Sequence, residues 1–191
     1  MDATIYQIQI TLEDSKPKIW RKLLVQSDTL LSDFHKIIQT TMGWTNSHLH
    51  HFMKDRRFYS ADESEFYDYE NPRKVDYKKN KIRISDLLIH EKDKISYIYD
   101  FGDNWEHVLI LQKILPIYST LLYPICLAGS RNCPPEDCGG IYEYSYILKI
   151  LQEPDHEEHK EYKEWLGDDF DPKYFDKDII NVFLHKKNYG C

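Results

Sequence analysis

The hydrophobic and polar positions of this chain follow two periods, and the period changes at well-marked places. Between residues 4 and 12, apolar side chains alternate with polar ones such as Gln7 and Gln9, which is typical of a half-buried strand. A turn around Pro17 separates this segment from a second alternating run, so the two are predicted to form an antiparallel pair. The same criterion predicts strands at 4–12, 18–25, 48–53, 95–101 and 105–113.

A period of 3.6 residues replaces the alternation over 29–42, where apolar residues recur at helical spacing. Thr29 is the predicted N-cap of this helix, and Gly43 is expected to end it in a left-handed turn. The C-terminal part of the chain is predicted to be helical, over about 142–151, 155–166 and 176–186.

These elements define an α+β fold, with an antiparallel or mixed β-sheet, one helix packed across it, and a C-terminal helical segment. A chain of 191 residues fits a single domain with a substantial core. Within residues 1–191, we expect a sheet-forming part at about 1–115, a Cys- and Pro-containing loop at 116–140 and a helical part at 141–187. Residues 54–81 are predicted to be an irregular excursion.

Charge and hydropathy exclude some partners. The net charge of −7 argues against nucleic acid as the main partner, because phosphate binding needs cations gathered on one face. The basic stretch at 73–83 follows an acidic stretch at 62–70, and the two together are typical of a solvated loop. No apolar run is long enough for a membrane span, and the first residues do not resemble a secretory signal. We therefore expect a cytoplasmic protein with no membrane partner.

A cluster of histidines, His48-Leu49-His50-His51, falls on the predicted third strand. Side chains alternate along a strand, so His48 and His50 are expected to point the same way, about 7 Å apart. Two imidazoles at that spacing can share a metal ion or flank a substrate. Taken alone, the motif better fits one histidine packed in the core and two at the surface.

The stretch Tyr99-Asp100-Phe101-Gly102-Asp103-Asn104-Trp105-Glu106-His107 is predicted to be a hairpin turn and its return strand. Gly102 permits the positive φ that a tight turn needs. Asp103 and His107 are expected on one side of the return strand, and a carboxylate beside an imidazole suits general-base catalysis or metal binding. In the structural interpretation, Asp103 instead bonds to the backbone of its own turn.

Three of the four cysteines, Cys126, Cys133 and Cys138, lie within 13 positions of one another. Cys133 and Cys138 have near-zinc spacing, but a histidine such as His50 or His107 would have to complete four ligands. The structural alternative is a proline-stiffened loop with packed thiols, in which Glu136 and Asp137 favour the positive N-terminus of the next helix. The absence of a second cysteine pair favours this alternative.

The order of these motifs resembles the plasmid pRiA4b open-reading-frame-three-like family. The resemblance covers nearly the whole chain. It implies a single α+β domain of bacteria and archaea, often encoded near mobile elements, without an established activity. The motifs that carry it are Ile19-Trp20-Arg21, Met42-Gly43-Trp44, His48-Leu49-His50-His51-Phe52, Tyr99 to His107, Cys133-Pro134-Pro135-Glu136-Asp137-Cys138-Gly139-Gly140, Glu164-Trp165 and Phe170-Asp171-Pro172.

Two functional hypotheses follow. The first is a non-enzymatic accessory or binding protein associated with mobile elements, which engages a protein or peptide through an aromatic, acidic surface. The second is a metal-assisted hydrolase that holds a divalent ion such as zinc. Both the metal site and the hydrolase require the His, turn and Cys segments to converge in the fold. The nominated residues are Asp103 and His107 as catalytic groups, and His48, His50, His107, Cys133 and Cys138 as metal ligands.

Overall fold

The computed structural model describes residues 4–61 and 74–191, and its centre is a mixed sheet of eight strands. The strands are β1 Ile5–Leu12, β2 Ile19–Gln26, β3 His50–Lys54, β4 Arg57–Ser60, β5 Lys74–Asp76, β6 Lys94–Tyr99, β7 Trp105–Leu115 and β8 Ile125–Ser130. Their order across the sheet is β5-β4-β3-β6-β7-β1-β2-β8. Every neighbouring pair is antiparallel except β4 and β5, so the sheet is mixed, which is one of the two forms that the sequence predicted.

The helices are α1 Leu31–Met42, α2 Ile84–Leu87, α3 Gly140–Ile150, α4 His159–Leu166 and α5 Lys177–Leu184. Helix α1 lies across one face of the sheet, where Phe34 stacks on Phe52 of β3. The α+β class and the helix on the sheet are confirmed. No helix among the described residues is both long enough and apolar enough to cross a membrane.

The alternating pattern of β1 produces two different faces. Ile8, Ile10 and Leu12 are completely buried in the core beneath α1. On the opposite face, Gln112 of β7 exchanges side-chain hydrogen bonds with Gln7 and Gln9, at 2.9 and 2.7 Å. The amides therefore satisfy one another on the polar face while the apolar positions supply the core.

Several local predictions need correction. Helix α1 begins at Leu31 after Leu30, which makes no side-chain cap bond, so Thr29 is not its N-cap; Gly43 does end the helix, with a φ of 97°. In the β6–β7 turn, Asp100 and Asn104 have positive φ, whereas Gly102 does not. Gly102 has another reason to be small, because a Cβ there would lie 3.2 Å from a carboxylate oxygen of Asp100.

Two predicted irregular regions contain strands. Strand β8 lies inside the predicted loop at 116–140, and β4 and β5 lie inside the predicted excursion at 54–81. Short strands at or near a sheet edge carry little alternation, so the pattern does not distinguish them from loops. The acidic stretch 62–70 and the beginning of the basic stretch at Arg73 fall outside the described residues.

Candidate functional site

Three segments that are far apart in the chain meet around the imidazole of His48. His48 lies in the loop between α1 and β3, Asp100 opens the β6–β7 turn, and Glu136 and Asp137 follow β8. The Nδ1 atom of His48 is 3.8 Å from Asp100 Oδ2. Its Nε2 atom is 3.3 Å from Asp137 Oδ1 and 3.9 Å from Glu136 Oε2. One imidazole thus faces three carboxylates.

The backbone of the β6–β7 turn aims the carboxylate of Asp100 at His48. Strand β6 ends at Tyr99, and Asp100 takes a φ of 56°, which breaks the alternation. The Asp100 amide donates to the carbonyl of Leu49, which fixes the turn against the His48 loop. The Gly102 amide donates to Asp100 Oδ1 at 2.9 Å, so Oδ2 is the oxygen that faces His48.

Glu136 is fixed by donors from two other segments. Its Oε1 accepts hydrogen bonds from the Tyr99 hydroxyl at 2.7 Å and the Thr45 amide at 2.9 Å, and its Oε2 accepts from the Thr45 hydroxyl. Partial burial opposes ionisation, but these hydrogen bonds outweigh it and lower the pKa of Glu136. Glu136 is therefore held as a carboxylate beside His48.

His48, Asp100 and Asp137 form a candidate set of metal ligands. One ligand atom from each lies within 4.8 Å of the other two, and no other such trio of His, Cys, Asp or Glu occurs in 4–61 and 74–191. The Nε2 atom of His48 is shielded from solvent and lacks a hydrogen-bond partner among the residues described. Asp137 is 75% exposed, so an ion could enter from its side.

His50, although only two residues from His48, belongs to a different environment. Its ring stacks on that of His35, with centroids 3.4 Å apart, and its Nε2 lies 2.8 Å from the Tyr77 hydroxyl. Burial, reinforced by the neighbouring His35, lowers the pKa of His50 to about 2. Because β3 begins only at His50, strand alternation does not place His48 and His50 on the same face.

The expected pairing of Asp103 with His107 is not formed. His107 is completely buried, its Nδ1 lies 3.2 Å from the Tyr97 carbonyl, and burial lowers its pKa to about 4. Asp103 accepts a hydrogen bond from the Gly139 amide at 3.1 Å. Residues 101–104 form the turn and the strand begins at Trp105. Asp103 therefore lies outside the strand, and strand alternation does not place it on the same side as His107.

Cys133 and Cys138 are buried free thiols that join no metal-ligand trio in the described parts of the chain. Burial raises the pKa of both, to about 12 for Cys138, which keeps them protonated. Their loop nevertheless reaches His48, through the carboxylates of Glu136 and Asp137 rather than through sulfur. The sequence motifs therefore predicted which three segments converge. In the β6–β7 turn and the Cys-containing loop, however, the side chains that face His48 are carboxylates other than the nominated residues.

Asp100, Glu136 and Asp137 were missed for identifiable reasons. The alternation over 95–101 predicts that Asp100 continues the strand, although a carboxylate next to Phe-Gly-Asp is also a turn signal. In the sequence interpretation, Glu136 and Asp137 favour the positive N-terminus of the helix that follows, since acidic residues commonly precede a helix. Only the tertiary contact with His48 distinguishes these roles.

The fold and the site together define the class of this protein: an α+β domain that carries a histidine–carboxylate cluster beside its sheet. The family model "Plasmid pRiA4b ORF-3-like protein" matches residues 4–179, and the chain belongs to this family. The family is thereby associated with plasmids.

Two relatives extend this comparison. "Uncharacterized protein y4hQ" of Sinorhizobium fredii is 36% identical over 168 residues, which cover 87% of this chain and 83% of that protein. A crystal structure titled "Protein of Unknown Function MM3350 from Methanosarcina mazei Go1" is 35% identical, with a TM-score of 0.82. That match covers 94% of this chain and 98% of the other. The titles of both relatives describe proteins whose function is not assigned.

Proposed function

We propose that this protein is a non-enzymatic accessory domain that binds a divalent metal ion through His48, Asp100 and Asp137. The observation that carries the proposal is the approach of three ligand atoms, from three separate segments, to within 4.8 Å of one another. Glu136 lies beside the same imidazole and adds negative charge without being one of the three ligands.

The charge balance at the cluster favours a cation. Asp100, Glu136 and Asp137 each have His48 as their ion-pair partner, and no lysine or arginine pairs with them within the described residues. Even a protonated imidazole would offset only one of three carboxylates. A divalent ion would supply the missing positive charge while using the lone pair of a neutral His48.

The mixture of ligands indicates the kind of ion. Imidazole nitrogen suits zinc and other transition metals, whereas carboxylate oxygen also suits manganese and magnesium. One nitrogen with two carboxylates therefore fits Zn²⁺ or Mn²⁺ better than Ca²⁺, which takes oxygen ligands. Zn²⁺ is also the example of a divalent ion that the hydrolase hypothesis names.

Binding is better supported than metal-assisted hydrolysis. The hydrolase hypothesis assigned catalytic roles to Asp103 and His107, but these side chains bond to the backbone of Gly139 and Tyr97. A groove of about 1220 Å³ elsewhere on the surface is lined by none of the four cluster residues. The accessory role near mobile elements remains part of the proposal.

Calorimetric titration of tag-free, chelator-treated protein with ZnCl₂ and MnCl₂ tests the proposal. We expect one equivalent of at least one metal to bind. His48→Ala should weaken binding by at least about tenfold, because it removes the nitrogen ligand. Asp137→Ala should also weaken binding. Because the Asp137 side chain is exposed, this variant should keep the wild-type fold.

His156→Ala is the matched control. His156 is 27% exposed, close to the 26% of His48, and also lies near a carboxylate, at 4.0 Å from Glu158. It lacks the second and third carboxylates of the cluster. Binding that is equal in the wild type, His48→Ala and Asp137→Ala would refute the proposed ligands, and no binding by the folded wild type would refute the function.

A further inference from the structure

A second surface feature, independent of the metal cluster, is a groove beside the two helices that follow β8. One wall is a single face of α3, which contributes Ile141, Ser145 and Leu148. A second wall is the face of α4 that carries Lys163 and Leu166. The β1–β2 turn, Arg131 and the segment 167–173 complete the groove, whose volume is about 1220 Å³.

The groove is cationic, although the whole chain has a net charge of −7. Three carboxylates, those of Asp14, Asp168 and Asp171, also line it. None of its lysines or arginine takes part in an ion pair within residues 4–61 and 74–191. Its five cationic side chains are Lys16, Arg131, Lys149, Lys163 and Lys173.

The arrangement of charges on α4 sets the groove apart from an ordinary helix surface. Lys160 pairs with Glu164 one turn later, at 3.6 Å, and both side chains are highly exposed. Lys163 lines the groove instead and lacks such a pair in the described structure. The ion-paired residues therefore flank the side of α4 that carries the groove-lining Lys163.

The groove also offers apolar surface between its charges. Ile141, Leu148, Leu151 and Leu166 line it and are only partly buried. Partly exposed aliphatic side chains flanked by cations match a ligand that has both apolar and anionic groups. A simple anion would leave this aliphatic surface uncovered.

We propose that this groove binds an acidic amphipathic peptide segment of a partner protein, with carboxylates against the lysines and apolar side chains against the aliphatic residues. A single-stranded nucleic acid fits less well. Its bases bind by stacking on aromatic side chains, and the groove offers only two of these, Tyr142 and Phe170, beside four aliphatic side chains. A nucleic acid carries a phosphate at every nucleotide, so the three aspartates would repel it along its length, whereas a peptide can place its carboxylates only beside the lysines.

Fluorescence anisotropy with a labelled synthetic helical peptide, glutamate on its polar face and leucine on its apolar face, tests this inference. We expect saturable binding that weakens as NaCl is raised, because exposed charges are screened. Reversing one charge on each of the two helices, with Lys149→Glu and Lys163→Glu together, should weaken binding by at least about tenfold.

The matched control reverses Lys94 and Lys113, which are exposed on β6 and β7 and do not line the groove. This double variant has the same net charge as the groove variant and should bind the peptide like the wild type. If both double variants weakened peptide binding equally, the loss would come from the change in net charge rather than from the groove, and this would overturn the inference. So would equal binding of a lysine-for-glutamate version of the peptide, or tighter binding of a single-stranded oligonucleotide.

Discussion

At the scale of single residues, the most unusual feature is the buried pair of parallel imidazoles formed by His35 and His50. Their planes differ by 2°, and their nitrogens lie at hydrogen-bond distance from the Tyr97 and Tyr77 hydroxyls. Burial lowers the pKa of His35 to about 4 and that of His50 to about 2. Both rings are therefore neutral in the folded protein at neutral pH.

This pair predicts that the protein loses stability in mild acid. In the unfolded chain the two histidines titrate near pH 6.5, so below that pH the unfolded state binds more protons than the folded state. Their contribution to stability is complete above about pH 6.5 and is lost progressively as the pH falls toward the folded pKa values. The melting temperature should therefore fall between pH 7 and 4.5.

His35→Phe should partly flatten this dependence, because it removes one buried titrating ring and takes away the neighbour of His50. His51 and His107, whose pKa values burial also lowers, still titrate. Thermal melts of the variant and the wild type across that pH range make the comparison. His90→Gln, which alters an exposed histidine, should keep the wild-type slope. An unchanged slope in His35→Phe would mean that other groups cause the acid sensitivity.

Residue-scale chemistry was the part that sequence reasoning predicted least well. The motifs around His48, Asp103 and Cys133 identified the three converging segments. Within them, however, the residues that face His48 are set by a positive φ at Asp100 and by hydrogen bonds to Glu136. The positive φ and these hydrogen bonds leave no periodic signal in the sequence, so the pattern of apolar and polar residues could not predict them.

At the scale of elements, the regular strands and helices were predictable because they have clear periods. Strands β1 and β2 and helix α1 differ from their predicted limits by only one or two residues. Strand β8 was missed. It lies at the sheet edge, and its place there depends on a contact with α5 that the local sequence does not encode.

That contact is specific. Asn181 of α5 accepts a hydrogen bond from the Cys126 amide at 2.7 Å and donates one to the Cys126 carbonyl at 3.0 Å. The side-chain amide thus satisfies the backbone of an edge strand as a neighbouring strand would. An edge covered in this way is less available for pairing with other chains.

Asn181→Ala should destabilise the protein by about 1–3 kcal/mol, because a buried backbone amide loses its acceptor. Urea denaturation measures the free energy of unfolding, and hydrogen exchange should show faster exchange in β8. Val182→Ala, on the same helix at a side chain that is 61% exposed, should change neither quantity appreciably. Unaltered protection of β8 in Asn181→Ala would contradict this role.

At the scale of the whole molecule, one connection joins the two proposed binding surfaces. The segment after β8 presents Glu136 and Asp137 to His48 and then enters α3, whose face lines the cationic groove. The Asp103 carboxylate and the Gly139 amide tie this connection to the β6–β7 turn. Gly140 must be small there, since a Cβ would lie 2.6 Å from the Asp103 carbonyl oxygen.

The central claim is that three distant segments together hold a divalent metal ion, and anomalous diffraction at the zinc absorption edge tests it most directly. Crystals grown with ZnCl₂ should show a peak about 2.0–2.2 Å from a nitrogen of His48 and from carboxylate oxygens of Asp100 and Asp137. Crystals of His48→Ala should lose that peak. Zinc found only elsewhere in wild-type crystals, for example at Cys133 and Cys138, would contradict the account.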